Sequence, residues 1–597
     1  MDSHEMGSNN WTHGYEHEFQ ALQGYDITPY LPALLGYVVG SKEKSDEVLF
    51  HHRQTIAHLE NHRYFAYLDT LAMNEGVLFT AQATGNGQSM TSDNIAAKGA
   101  VRRPQGEFWG KHVNSCYDIK EAASAAHVYG KQIASAEAYT DVKYSQTLAY
   151  FKSLADYAYA YQLNEFAVCA SAYQPWLDKA PGNTANGREY CLNRNNTQWP
   201  LSRGFWDYQS RCAFLMRQGQ PIVDLCIYLG SEVSNKLLSY RLPQIPEGYD
   251  WDVCTDDALL RILTAHNGKL EAANHMTYQV LVVERLARLT EEAEAKIEWL
   301  KQQGVPVYDA RIMGDYGLKS FLDKHSIAPD ATFTSANQPD NRLFFAHRST
   351  KDAEIYFFDN HSHNRFSQDI VLRDSKGLTA EYWNPDNGQR YALNTTHTSD
   401  GNLSVALTLD AREAGFVILR QPDALPQPSL KRTFGQAETL IALEKPWKVD
   451  FLLPDSIHTL NMPTLTDWTL LEDEALKHHS GKAIYHQSFA TPKRFDPNQR
   501  ILIHIDGLEA VSRVWVNNRE VGYLWCAPWE VDITDYLTEE EENTLRIEVA
   551  NQLTNRMIGD LELPEEKRST FATTPLVKPG DKLLPAGITK SVKLVIR

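Results

Sequence analysis

Basic charge, long apolar runs and paired cysteines are all scarce in this 597-residue chain. No apolar stretch reaches the roughly 18–20 residues that a bilayer-spanning helix needs, so no membrane span is expected. Lys and Arg number 58 against 76 Asp and Glu, a net charge of −18. That is the wrong sign for a surface that grips phosphate backbones, which argues against nucleic acid as a partner. The seven cysteines (Cys116, Cys169, Cys191, Cys212, Cys226, Cys254, Cys526) are scattered without a CxxC, so neither a zinc site nor a disulfide framework is indicated. The opening residues MDSHEMGSNNWT carry neither the basic n-region nor the apolar h-region of a signal peptide. They read instead as a strand running out into a polar loop.

What is present fits a large globular protein. Hydrophobic residues make up 43% and charged residues 22%, ordinary for such a chain, and the length calls for three or four domains. Thirteen Trp and 29 Tyr offer faces on which sugar rings stack, although large cores use the same residues.

The periodicity changes along the chain. From Ser45, a candidate cap, to Gly76 the apolar spacing is helical. Val77–Ala81 reads as a short strand leading to Gln82 and the Gly85–Asn86–Gly87 loop. The theme recurs with a helix from Asp118 to Tyr129, a strand from Gln132 to Ala136 ending in Glu137, a helix from Ser145 to Leu163 and a strand from Phe166 to Ala170. This alternation is the grammar of a parallel α/β sheet or β/α barrel. A second α/β unit follows, with strands Ile222–Tyr228 and Tyr278–Val283 and a helix from Glu291 to Gln303, and without a phosphate-binding glycine fingerprint. From Arg342 to Arg420 the period falls to two, as in Glu354–Phe358 and Leu403–Leu409, giving a β-sandwich. A proline-bearing linker, Gln421–Ser429, leads to another all-β module, where VWVNNREVGYLW predicts a hairpin about Asn517–Asn518. The fold class expected is therefore multidomain α/β plus all-β. It comprises a partial (β/α)8 barrel over 1–220, an open α/β domain over 221–338, a β-sandwich over 339–422 and a jelly roll over 430–597.

In a β/α barrel, polar residues just beyond strands face the active-site end. Glu5, Gln82, Glu107 and Glu137 hold such positions, Glu107 by its loop rather than by a clear strand. Paired carboxylates are what glycoside hydrolysis requires: one protonates the leaving oxygen, and the other attacks the anomeric carbon or activates water. A lone Glu after a strand is more often solvated or capping. Recurrence on successive strands is what raises the functional reading.

The stretches DSHEMGSNNWT, GYDITPYLPALLGYVVGS, PQGEFW, EAASAAHVYGK, ASAEAYT and AYQPW resemble the catalytic domain of glycoside hydrolase family 106, the α-L-rhamnosidases. The resemblance is dense up to about Gly219 and continues through YDWDVCTDDALL. VWVNNREVGYLWCAPWEVDITDYL resembles the sugar-binding jelly roll of family 2 glycosidases. The resemblance implies calcium-dependent, inverting hydrolysis of terminal rhamnose from a polysaccharide or glycoside. It implies Glu5 as general acid, Glu107 as general base, and Glu137, Gln82 and Asn10 as calcium ligands or their supports. Trp11, Trp109, Tyr173, Trp176 and Arg194 are the candidate substrate contacts, and the family habit is periplasmic or secreted action.

The sequence also departs from the family's pattern. Gln82 stands where the family has a glutamate, Cys169 and Tyr173 where it often has histidines, and Asn196 where it has a glutamine. An amide keeps hydrogen bonding but transfers no proton. The family's DSxE motif lies partway round its barrel, so its place at residues 2–5 implies a chain that begins inside the catalytic barrel. Two other functions stay open: a noncatalytic carbohydrate-binding protein, and an exo-glycosidase of another sugar specificity such as a galactosidase or glucuronidase.

Overall fold

The computed structural model describes residues 11–596 except 84–92, 111–115, 188–191, 233–235, 335–342, 425, 427, 429, 433, 435–436, 493–498 and 539–541. Four parallel strands pair in chain order: β1 (Thr80–Ala81), β2 (Arg103–Trp109), β3 (Ser135–Thr140) and β4 (Glu165–Val168). Helices Asn94–Ala100, Cys116–Val128 and Leu148–Ala160 connect them. Asp93 caps the first of these helices, its carboxylate accepting from the Ala96 amide at 3.1 Å. The second is rich in buried alanine (Ala122, Ala123, Ala125, Ala126), and that lets it lie close on the sheet. At Gly106, on β2, an added Cβ would sit 2.7 Å from the carbonyl oxygen of Asp118, so the helix backbone fills the space a side chain would need.

Two local expectations shift near the start. The helix read from Ser45 begins at Lys42 and is capped by Ser41, whose hydroxyl accepts from Lys44 N at 3.1 Å. Ser45 is buried instead and bonds Val39 and Ser41. The helix then passes through a π-helical stretch, Leu59–Phe65, into Ala66–Asn74. The strand read from Val77 shortens to β1.

The second α/β unit is a parallel sheet in the order Trp251–Cys254, Leu225–Tyr228, Val280–Val283, Val307–Asp309. The single strand read at Ile222–Tyr228 is two. Gln220–Ile222 pairs antiparallel with His347–Ser349 of the sandwich, and Leu225–Tyr228 enters the α/β sheet. The change of sheet falls at Asp224, buried against Arg373 at 2.8 Å. Tyr278–Val283 likewise divides at Gln279, whose amide donates to the Asp224 carbonyl.

Two all-β modules follow, each of one four-stranded and one six-stranded sheet. In the first, alternation is clean along Leu403–Leu409, where Leu403, Val405, Leu407 and Leu409 are buried. The strand Ala331–Phe333, inside the segment read as α/β, belongs to this module's smaller sheet. In the second, Trp447, Trp468 and Tyr485 lie in the core. The hairpin at Asn517–Asn518 has positive φ at both residues, 51° and 60°, as a two-residue hairpin turn demands.

One apolar core crosses the modules. It contains Phe108 and Tyr139 of the first sheet, Phe357 and Phe416 of the sandwich, and Val511 and Trp525 of the last module. Among the described residues, no helix is long and apolar enough to cross a membrane.

Candidate functional site

Glu107 and Glu137 both lie within strands, which corrects the loop position read for Glu107 and the strand-end position read for Glu137. β2 extends through Trp109 and β3 through Thr140, so each glutamate has one more turn of the pleat beyond it. The two are register partners on adjacent parallel strands, which puts both side chains on the same face. On β4 the matching position is Ala167, so the carboxylates have a small neighbour on that side.

Three groups hold this pair. Gln82, buried just past β1, donates from Nε2 to Glu137 Oε2 at 2.7 Å. Thr140, at the end of β3, donates its hydroxyl to Glu137 Oε1 at 3.1 Å. Trp109 and Thr140 also reach Glu107 through side-chain hydrogen bonds. Burial raises the Glu107 carboxyl and the Glu137 charge beside it adds to the rise, while the Trp109 and Thr140 bonds oppose it. The carboxyl is pushed up to about 7.

The remaining predicted contacts divide. Trp109 is at the carboxylates. Trp11 packs on Tyr15 with ring centroids 4.6 Å apart and keeps an exposed face. Tyr173 is 79% exposed. Arg194 binds protein backbone: its Nη2 donates to the carbonyls of Gln174 and Trp176 at 2.8 and 2.9 Å. Trp176 lies against Phe571 of the last module, with Lys179 over both rings. Arg194 and Trp176 thus shape the loop that carries Tyr173. Glu5 and Asn10, like the Gly85–Asn86–Gly87 loop, lie outside the described residues.

For a metal, the donor chemistry fits a hard cation. Gln82 Oε1 is buried and has no hydrogen-bond partner among the described residues, beside the carboxylate of Glu137. Oxygen donors of this kind suit calcium, and an orphaned buried carbonyl calls for a partner. No group of three His, Cys, Asp or Glu that could hold a metal occurs among the described residues.

Sequence reasoning missed Thr140 and the buried cluster behind the site. Lys98 forms ion pairs with Asp118 and, at 3.2 Å, with Glu121, all three side chains lying out of solvent. Asp118, read as a helix cap, is this lysine's partner instead. The signal was a lysine inside an otherwise apolar helical run, NIAAKGA.

The chain matches the α-L-rhamnosidase family, glycoside hydrolase family 106, over residues 1–319 and 307–397. Residues 462–574 match the galactose-binding-like domain of family 2 glycosyl hydrolases. A rhamnosidase from Novosphingobium sp. PP1Y superposes with a TM-score of 0.88 at 25% identity, covering 98% of this chain and 60% of that one. A protein of Formosa agariphila, provisionally named a β-glucuronidase, is 28% identical over 453 residues. The match takes in 70% of this chain but only 38% of the relative. The chain therefore spans less than two thirds of either protein, yet the family match runs through most of its own length: it belongs to glycoside hydrolase family 106, the α-L-rhamnosidases.

Proposed function

We propose that the chain supplies glycoside-hydrolysing machinery of the α-L-rhamnosidase type, acting on terminal rhamnose by inversion, with the sheet β1–β4 as part of a β/α barrel. The observation that carries the reading is the register pair Glu107–Glu137. A carboxyl poised near 7 is suited to gaining and losing a proton at neutral pH, which supports Glu107 as the base that takes the proton of the attacking water. Neighbouring strands run about 4.8 Å apart, short of the roughly 6.5–9.5 Å that an inverting pair needs for a water molecule. Glu137 is therefore a supporting group rather than the acid partner; the resemblance of DSHE to the family's motif implies Glu5 as the acid.

Calcium is part of the proposal. Glu137 and Gln82 Oε1 would hold it, with Asn10 as a further oxygen donor. Bound there, it supplies positive charge that grips sugar hydroxyls. Trp109 orients Glu107, and Gln82 with Thr140 orients Glu137. The substrate is a rhamnose-bearing glycan met outside the cytoplasm, as is usual for the family.

The test is hydrolysis of an aryl α-L-rhamnoside by the 597-residue chain, with and without a calcium chelator, alongside aryl β-glucuronide and β-galactoside. Rhamnoside turnover that the chelator abolishes is the expected result. Binding without turnover would favour a lectin-like protein, and preference for another glycoside would overturn the sugar assignment.

A further inference from the structure

A cavity of about 310 Å³ lies where the loop leaving β3 meets the last β module. Ser145 and Thr147 of that loop and Gln198 form one wall; Trp525, Trp529, Glu509 and Thr554 are on the other. It shares no lining residue with the Glu107–Glu137 pair. It lies off the C-terminal end of the strand that carries Glu137, because the loop begins directly after Thr140.

The walls are built and fixed. Gln552 donates to the Gln146 carbonyl, tying the loop to the β module. Asn551 is engaged with Gly481 and His479, and Asn555 makes two bonds to the backbone of Leu584. Trp525 is core: it is 4% exposed and packs edge-on against Phe205 at 5.5 Å. Gly204 makes room for it, since a Cβ there would lie 2.6 Å from the indole. Trp529 differs, being half-buried and packed on the module's core while also lining the cavity.

Among the described residues, one buried polar group of the lining remains without a protein partner. Thr554 is 8% exposed and its hydroxyl has no hydrogen-bond partner among the described residues; such a group calls for an explanation. Glu509 is exposed at the rim. Among the described residues, no Lys, Arg or His lines the cavity, which disfavours phosphates, nucleotides and carboxylates. An indole wall beside hydroxyls and amides, at the lower end of small-molecule pocket sizes of about 300–1,000 Å³, matches a neutral polyol with one apolar face.

We infer that this cavity binds a neutral sugar residue of the same glycan, remote from the scissile bond, with Trp529 as the stacking wall and Thr554 and Glu509 as hydrogen-bonding groups. The choice of glycan as ligand rests on the proposed function; the existence of the site does not.

The test compares the 597-residue chain with Trp529→Ala, Trp529→Phe and Thr554→Val on two substrates, an aryl α-L-rhamnoside and a rhamnose-terminated neutral oligosaccharide. Expected is at least a tenfold rise in KM for the oligosaccharide in Trp529→Ala, a smaller rise in Thr554→Val, near-normal behaviour in Trp529→Phe, and unchanged aryl rhamnoside kinetics in all three. Equal effects on both substrates, or none on either, would overturn the site. If the wild-type chain hydrolyses neither substrate, the function proposal fails on its own. Saturation-transfer NMR with the oligosaccharide, lost in Trp529→Ala and kept in Trp529→Phe, then supports the site, and no transfer in the wild-type chain refutes it.

Discussion

Glu107 and Glu137 stand side by side, one on each of two adjacent parallel strands, and the charge of Glu137 helps to hold the Glu107 carboxyl near 7. This relationship makes each residue's chemistry depend on the other's.

Replacing Glu107 by Gln is expected to lower rhamnoside turnover by roughly 10²–10⁴-fold with little change in binding. The same substitution has a stability signature. Because folding raises this carboxyl, its contribution is full at acid pH below the unfolded carboxyl range and is lost as pH rises through about 7. Without added divalent cation, Glu107→Gln should gain stability over the wild type above pH 7, with the gap closing in acid. Thermal unfolding across that range checks the sign.

Gln82 controls the charge offered to a metal. Gln82→Glu should lower the calcium concentration needed for half-maximal thermal stabilisation, and Gln82→Leu should raise it. Equal calcium responses in all three proteins would remove position 82 from the metal site.

Lys98 neutralises two buried carboxylates behind the sheet. Burial works against its charge, and Asp118 and Glu121 more than offset that, so its pKa is raised. Lys98→Met leaves both acids without a counter-ion and should destabilise the protein by about 3–5 kcal/mol. Adding Asp118→Asn and Glu121→Gln should recover much of the loss. Denaturant titration measures both effects.

His347 gives a separate pH dependence. It lies buried between Asp330 at 2.8 Å and Glu354 at 3.0 Å, stacked on Tyr356, with Arg373 against Asp330. Burial alone would lower its pKa; the two carboxylates more than compensate and raise it to about 9. Its stabilisation is therefore full below about 6.5 and is lost as pH rises through about 9. Unfolding free energy should fall over that interval in the wild type and less steeply in His347→Gln.

Much of this was legible because local patterns carried it. The alternation from Asp118 to Ala170, the period-two run Leu403–Leu409 and the Asn517–Asn518 turn all follow from short-range preferences. What escaped were long-range facts. The sequence around Asp224 looks like one apolar strand, because nothing local says that Gln220–Ile222 and Leu225–Tyr228 join different sheets. Glu107 looked like a loop residue because Pro104 and Gly106 weaken the strand pattern; the glycine is there for the helix above it. The motif residues of the site were visible as letters, but the Gln82–Glu137 bond spans 55 positions, and Thr140, the last letter of ASAEAYT, gave no sign of its role.

The link between Trp176 and Phe571 has a consequence for how the chain comes apart. Pro181–Gly182 pairs with Phe571–Ala572, Thr184 bonds Thr573 and Thr574, and Trp525 sits in a core shared with the first sheet. The covalent connection through 421–436 is therefore redundant as a tether. A protease that cut it would yield two polypeptides travelling as one particle, and the last module would behave as a wall of the first rather than as an appendage to it.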